Sequence, residues 1–301
     1  MKTIANNLKA FTILLVLSTG VFFAACDNNG TDPIISQNIV EFAQQSDNFT
    51  TLAQLVEDAG LASELSGPGP FTVFGPTDAA FAQIPSSVLE NLTNDQLVQI
   101  LTYHVVQGEI FAGDLSAQQS PASLEGGQLF IEAGDGVIVN DNSNVVEADV
   151  NVSNGVIHGV DQVLFPDNFL DVVSIVGKRF NLEVMESAVS DANLVSTLQQ
   201  ETQDGFTVFA PTNVAFDAIT VPNDQQQLQD VLTYHVIPSK VLSGDLQASQ
   251  TVTTVNGNDI TIEVSNGTVT INGSATVITA DLEGTNGVVH IIDEVLIPPS
   301  N

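Results

Sequence analysis

The chain has 301 residues, with 36 Asp or Glu against 5 Lys or Arg, and 43% of it is hydrophobic. A formal net charge of −31 at pH 7 excludes nucleic acid and anionic membrane surfaces as direct partners, because phosphate neutralisation needs basic side chains. The apolar fraction excludes a wholly disordered chain, and a single cysteine, Cys26, excludes a disulfide framework.

Lys2 and Lys9 flank the start of an apolar run, Ala10 to Val21, which leads into FFAAC at 22–26. That is the pattern of an export signal over residues 1–25. Ala24 and Ala25 are the small residues a signal peptidase accepts. Cys26 resembles the acylated cysteine of a bacterial lipobox, with Phe23 where leucine is usual. The expectation is an exported chain, lipid-anchored through Cys26 in the cell envelope (outer membrane, cell surface or periplasmic face). Cleavage that leaves Cys26 a free thiol is the other reading. Residues 26–37, with DNNGTDP at 27–33, read as a polar tether. Nothing later in the chain reads as a span, so membrane contact is expected through lipid only.

The first domain is expected over 38–166. Ile39, Val40, Phe42 and Ala43 suggest a helix. Phe49, Leu52, Leu55, Val56 and Ala59 follow at helical spacing, and Gly60 ends that turn. Phe71–Phe74 reads as a strand after the turn GPGP. Thr77 or Asp78 caps a short helix that buries Ala79, Ala80 and Phe81 and stops at Pro85. Thr93 and Gln96 form a capping box for a helix carrying Leu97, Ile100 and Leu101 into Tyr103-His104. From Gln128 the period changes to two, giving strands at 129–132, 137–140, 145–150 and 155–160.

The second domain, 167–301, repeats the plan. Leu182, Met185, Val189 and Leu194 belong to its opening helices, and Lys178 and Arg179 fall in the first of these. The pair is expected to meet acids of the first domain as exposed ion pairs of small effect. Leu228, Val231 and Leu232 lead into Tyr234-His235. Four residues fewer separate Phe216 from Leu232 than Phe81 from Leu101, which reads as a shortened loop. Asn-Gly at 256–257, 266–267 and 272–273 marks hairpins between alternating strands. Helices first and antiparallel strands later give an α+β class.

The repeat is explicit in three blocks. FTVFGPTDAAF at 71–81 returns as FTVFAPTNVAF at 206–216, LTYHVV at 101–106 as LTYHVI at 232–237, and GVIHGVDQVLFP at 155–166 as GVVHIIDEVLIP at 287–298. The offsets are 135, 131 and 132 residues, the length of a domain rather than of a solenoid unit. These blocks resemble the signature segments of fasciclin-type (FAS1) domains, departing only at Gly75 and Gly159. The resemblance implies two tandem α+β modules, each a β-sandwich-like wedge with packed helices. It also implies an extracellular role in adhesion or protein contact. In animal relatives the segment around the Tyr-His pair is linked to receptor binding, which maps here to Tyr103, His104, Tyr234 and His235.

Four histidines, His104, His158, His235 and His290, stand at matched places. No His-x-x-His pattern or second cysteine accompanies them, so no metal or cofactor is expected. His158 with Asp161 and His290 with Asp293 are three apart on a strand and face opposite sides. They read as structural, as do Thr77, Asp78, Thr212 and Asn213. No nucleophile elbow, phosphate loop or dinucleotide fingerprint is present. Beyond Cys26 the basic side chains are Lys178, Arg179 and Lys240 alone. Such an acidic surface repels itself in dilute buffer and suits a salt-rich habitat; collection of divalent cations is the alternative. The sequence therefore suggests a non-enzymatic adhesion or interaction module whose partner is an envelope or extracellular protein or polysaccharide. A periplasmic scaffold and, after it, a polysaccharide-acting enzyme are the rivals, and the oligomeric state is left open.

Overall fold

Local signals start the chain's first helix. Asn38 accepts from the Val40 and Glu41 N–H groups while Glu41 reaches back to the Asn38 N–H, a complete capping box. The structure, a computed structural model, describes residues 36–299; the export signal, Cys26 and nearly all of the tether lie outside the described residues. In the first module, helices α1 (Ile39–Gln45), α2 (Thr50–Asp58) and α3 (Ala62–Leu65) lead into strand β1 (Phe71–Pro76). Helices α4 (Asp78–Phe81), α5 (Ser86–Glu90) and α6 (Asn94–Tyr103) then connect to β2 (Val105–Gln107). Strands β3 (Gln118–Gln119), β4 (Ile131–Ala133), β5 (Val137–Val139), β6 (Ser143–Val152) and β7 (Gly155–Val160) close the module.

The second module repeats this order with α7 (Val172–Gly177), α8 (Glu183–Asp191), α9 (Val195–Leu198), β8 (Phe206–Pro211), α10 (Asn213–Asp217), α11 (Gln225–Tyr234) and β9 (Val236–Ile237). Strands β10 (Ser249–Thr253), β11 (Asp259–Ser265), β12 (Thr268–Ile271), β13 (Ala275–Gly284) and β14 (Gly287–Ile292) complete it. It lacks a counterpart of α5, so the residues missing after Phe216 remove a helical turn and not only loop. Pro85 does not end α4, which stops at Phe81; it is the N-cap of α5. Ala79 is exposed, against expectation, and its counterpart Val214 is 76% exposed, because so short a helix buries only one face.

Each module forms one seven-stranded sheet of the same order, β2-β1-β7-β6-β5-β4-β3 and β10-β11-β12-β13-β14-β8-β9 read in the opposite sense. The central pairing is parallel: Phe71 opposes Gly155 and Phe206 opposes Gly287. A Cβ at Gly155 would lie 1.9 Å from the Phe71 carbonyl oxygen, and one at Gly287 2.4 Å from that of Phe206. Glycine at the head of each closing block is thus a requirement of strand approach. The other strands are antiparallel, and Asn266-Gly267, both at positive φ, make the two-residue turn between β11 and β12.

Every residue of β1, β7, β8 and β14 is buried. The reason is that each sheet curls and is covered on both faces. In the first module Val73 and Ile157 face a core shared with Phe49, Leu52, Val56 and Leu101 of the helices, while Phe74 and Val160 face a second core with Leu129, Ile131 and Val139 inside the curl. The second module divides in the same way. This is an α+β fold of two wedge-like modules. No helix among the described residues is long and apolar enough to cross a membrane.

Candidate functional site

The Tyr-His pairs end α6 and α11, and both rings point inward. Tyr103 is 0% exposed; its hydroxyl donates to the Gln128 carbonyl at 2.7 Å and accepts from Asn140 Nδ2 at 3.2 Å. Tyr234 repeats this with the Asp259 carbonyl at 3.1 Å and Asn272 Nδ2 at 3.1 Å. Each tyrosine therefore ties a helix end to the curled part of its own sheet, and burial pushes the Tyr103 phenol well above its ordinary value.

His104 and His235 are equally enclosed. His104 Nε2 accepts from the Leu164 N–H at 2.8 Å, which places the ring proton on Nδ1, 2.7 Å from the Ile100 carbonyl. His235 makes the same contacts to Leu296 and Val231. Burial pulls both imidazoles down to about 4, against the opposing effect of the carbonyl contact. His158 and His290 take the opposite tautomer. Nδ1 accepts from the N–H of Asp149 or Asp281, and Nε2 donates to the carbonyl of Ile110 or Val241. Their rings stack on Phe74 and Phe209.

Asp161 and Asp293 do not join these histidines. Asp161 accepts from the Asn144 backbone and side chain, and Asp293 from the Thr276 N–H, closing the ends of the β6–β7 and β13–β14 pairings. Thr77 and Thr212 cap α4 and α10 by accepting from the Ala80 and Ala215 N–H groups. Asp78, offered above as a cap of its own helix, instead accepts from Thr50 and Thr51 at the start of α2. Burial works against its charge, but these hydrogen bonds outweigh it and hold the carboxyl below its ordinary value. Asn213 accepts from Val184 of α8 and donates to the Phe180 carbonyl. The T-[DN] pair thus staples two helices, one residue each. Thr77→Ala and Thr212→Ala are each expected to cost about 1 kcal/mol, read as a lower urea midpoint at unchanged slope.

Two matched asparagines escape sequence reasoning. Asn154 accepts from the Ile39 N–H and donates to the Leu65 and Gly67 carbonyls; Asn286 does the same with Val172, Leu198 and Gln200. The available signal was the asparagine preceding each Gly-Val of the closing block.

The largest departure from expectation is at Lys178 and Arg179. They are 6% and 5% exposed, and their acid is Asp167 of the connection between modules. Lys178 Nζ lies 2.6 Å from Asp167 Oδ1, off hydrogen-bond alignment, so this contact is an ion pair; Nζ also donates to the Tyr103 hydroxyl at 3.0 Å. Arg179 meets the other Asp167 oxygen at 2.5 Å, donates to the Ile175 carbonyl, and lies over the Phe130 ring, 5.1 Å from its centroid. Phe180 packs edge-on against the same ring. Burial works to raise the Asp167 carboxyl, but Arg179 and Lys178 outweigh it and hold it low; burial pulls the Lys178 ammonium down against the pull of Asp167. Tyr103 thereby carries a second role, as acceptor for the neighbouring module. Among the described residues no three His, Cys, Asp or Glu side chains come together as a metal-ligand set.

A sequence profile described as the fasciclin domain matches residues 47–166 and 180–298. The chain belongs to the fasciclin-domain family. Transforming growth factor-beta-induced protein ig-h3 of Oryctolagus cuniculus is 30% identical over 266 residues, covering 83% of this chain and 38% of that protein. Periostin of Homo sapiens is 29% identical over 267 residues, covering 88% and 31%. The chain thus spans well under half the length of these relatives. Protein sll1483 of Synechocystis is 41% identical over 180 residues, 55% of this chain and 99% of that one. A solved FAS1 domain pair from the insect cell adhesion molecule fasciclin I covers 83% of this chain and 97% of its own, with a TM-score of 0.59 at 19% identity, a likeness of fold. The fasciclin domains here spend their matched Tyr, His, Asp and Asn side chains on fixing backbone.

Proposed function

We propose that this tandem fasciclin protein is a non-enzymatic contact protein of the cell envelope, anchored through an acylated Cys26. Its two modules bind an envelope or extracellular protein or polysaccharide. The observation that carries the reading is that each imidazole of the two modules has both nitrogens engaged with main chain. Acid–base work at these histidines would first break the fold. The family supports the contact role alone, since a domain pair of this fold comes from a cell adhesion molecule; the anchor rests on the FFAAC segment at 22–26. Two modules on one tethered chain gain avidity that neither has alone.

Cys26→Ser is expected to move the protein from the membrane fraction to the soluble fraction, and the intact mass of the parent to exceed that of the unmodified chain by several acyl chains. An unmodified parent in the soluble fraction defeats the anchor. The soluble variant then serves in binding measurements against purified envelope polysaccharides and proteins at high salt. Saturable binding without turnover supports the contact role. Turnover abolished by one Asp or Glu substitution overturns it. A deletion strain that attaches and aggregates like its parent favours a periplasmic scaffold instead. The charge of −31 also leads to an expected rise in melting temperature from low to molar NaCl, as screening relieves self-repulsion; a flat series counts against salt adaptation.

A further inference from the structure

Residues of both modules line an open cleft of about 340 Å³. Its apolar lining includes Val163 and Phe165 from the end of the first module and Val173 of α7, beside the polar Asn140, Asn142 and Ser174. Asp141, from the turn after β5, and Glu186, from α8, also line it, so each module supplies one carboxylate. Glu186 leans over Gly177, where a Cβ would come 3.1 Å from its Oε1. Burial, then the neighbouring charges, raises both carboxyls: Glu132 acts on Asp141, and Asp141 and Glu183 act on Glu186. None of these four acids belongs to an ion pair among the described residues. Lys178 reaches the cleft wall, but its ammonium is taken by Asp167, the Tyr103 hydroxyl and the Phe165 carbonyl. The lining therefore combines an apolar part with two carboxylates that have no ion-pair partner among the described residues. A bare metal ion would leave the apolar part unused, and an uncharged molecule would leave the carboxylates unrelieved. The volume falls in the range of small-molecule sites, at its lower end.

We infer that the cleft between the modules binds a small organic ammonium ion, its hydrocarbon body on Val163, Phe165 and Val173 and its head towards Asp141 and Glu186. A ligand seated there touches both modules, so it stabilises their joint. The inference is independent of what the modules adhere to.

The test uses the full chain at fixed ionic strength, titrated with n-hexylammonium chloride. Calorimetry reads affinity, and methyl chemical shifts read position. The expected result is saturable binding that shifts Val163 and Val173 but not Val255, which is exposed and does not line the cleft. Affinity is expected to fall about tenfold or more in Asp141→Asn/Glu186→Gln, as an ion-assisted contact is lost. That variant relieves a repulsion and is expected to melt no lower than the parent. Glu57→Gln/Asp58→Asn removes the same charge from an exposed stretch of α2 and is expected to bind as the parent does. Equal loss in the two variants overturns the site in favour of diffuse attraction to an acidic surface. Equal binding of ammonium or calcium chloride overturns the organic class, equal binding of hexanol overturns the ionic one, and absence of saturation overturns the site itself.

Discussion

Asp167→Asn is expected to destabilise the protein by about 3–5 kcal/mol, the usual cost of removing one partner from a buried ion pair. Asp167 faces two cations that are both almost fully buried. An amide keeps the shape and some hydrogen bonding but not the charge. Lys178 can escape part of the cost by losing its proton, since burial already lowers its pKa. Arg179 has no such escape, because a guanidinium stays charged. Most of the penalty therefore falls on Arg179, held against Phe130 of the first module. Urea unfolding is the measurement. Replacing all three groups, with Asp167→Asn, Lys178→Met and Arg179→Met together, is expected to recover most of the loss, because the desolvation of three ions disappears with them. A single variant within about 0.5 kcal/mol of the parent, the scatter of ordinary surface changes, would show that the ion pairs contribute nothing to joining the modules.

Acid is the second strong lever, through His104 and His235. Their folded values, about 4, lie below the ordinary 6.5. Between those limits the unfolded chain binds protons that the folded chain refuses, so stability is full above about pH 6.5 and falls as pH drops towards 4. At about 1.4 kcal/mol per pH unit, each ring costs about 3 kcal/mol over that window. His290, also lowered by burial, acts in the same direction. Asp141, Glu183 and Glu186 oppose it: their raised values favour the folded state as they protonate. A difference measurement separates the two. The stability gap between the parent and His104→Gln/His235→Gln is expected to narrow from pH 7 to pH 4.5, since only the parent carries these rings. A gap that stays constant with pH would sink the assignment of buried, neutral imidazoles.

The difference between what could be read and what could not follows the range of each interaction. The Thr93–Gln96 capping box, the Leu97–Ile100–Leu101 stripe and the Asn266-Gly267 turn each involve residues within a few positions of one another. Their hydrogen bonds and spacings are written in the local order of side chains. The duplication was legible because the blocks recur whole, and with it came the fasciclin resemblance and the α+β class. Sequence alone also placed Tyr103, His104, Tyr234 and His235 at helix ends. It did not supply their partners, since Gln128, Asn140 and Leu164 lie across the sheet from α6 and no periodicity points to them.

Asp78 shows the same limit at closer quarters. Its position predicts a cap for α4, yet Thr77 already fills that role, and folding brings the start of α2 to the free carboxylate. Lys178 and Arg179 show it most clearly. In so acidic a chain the expected fate of two cations is a solvated surface pair. Their burial depends on Asp167, Tyr103 and Phe130 arriving from the connection, a helix end and the residue preceding β4. Residue types, repeats and local caps were thus determined by the sequence itself. Which charges leave water, and which module they hold, was decided only by the tertiary structure, because desolvation is a property of every neighbour at once and not of the residue that is desolvated.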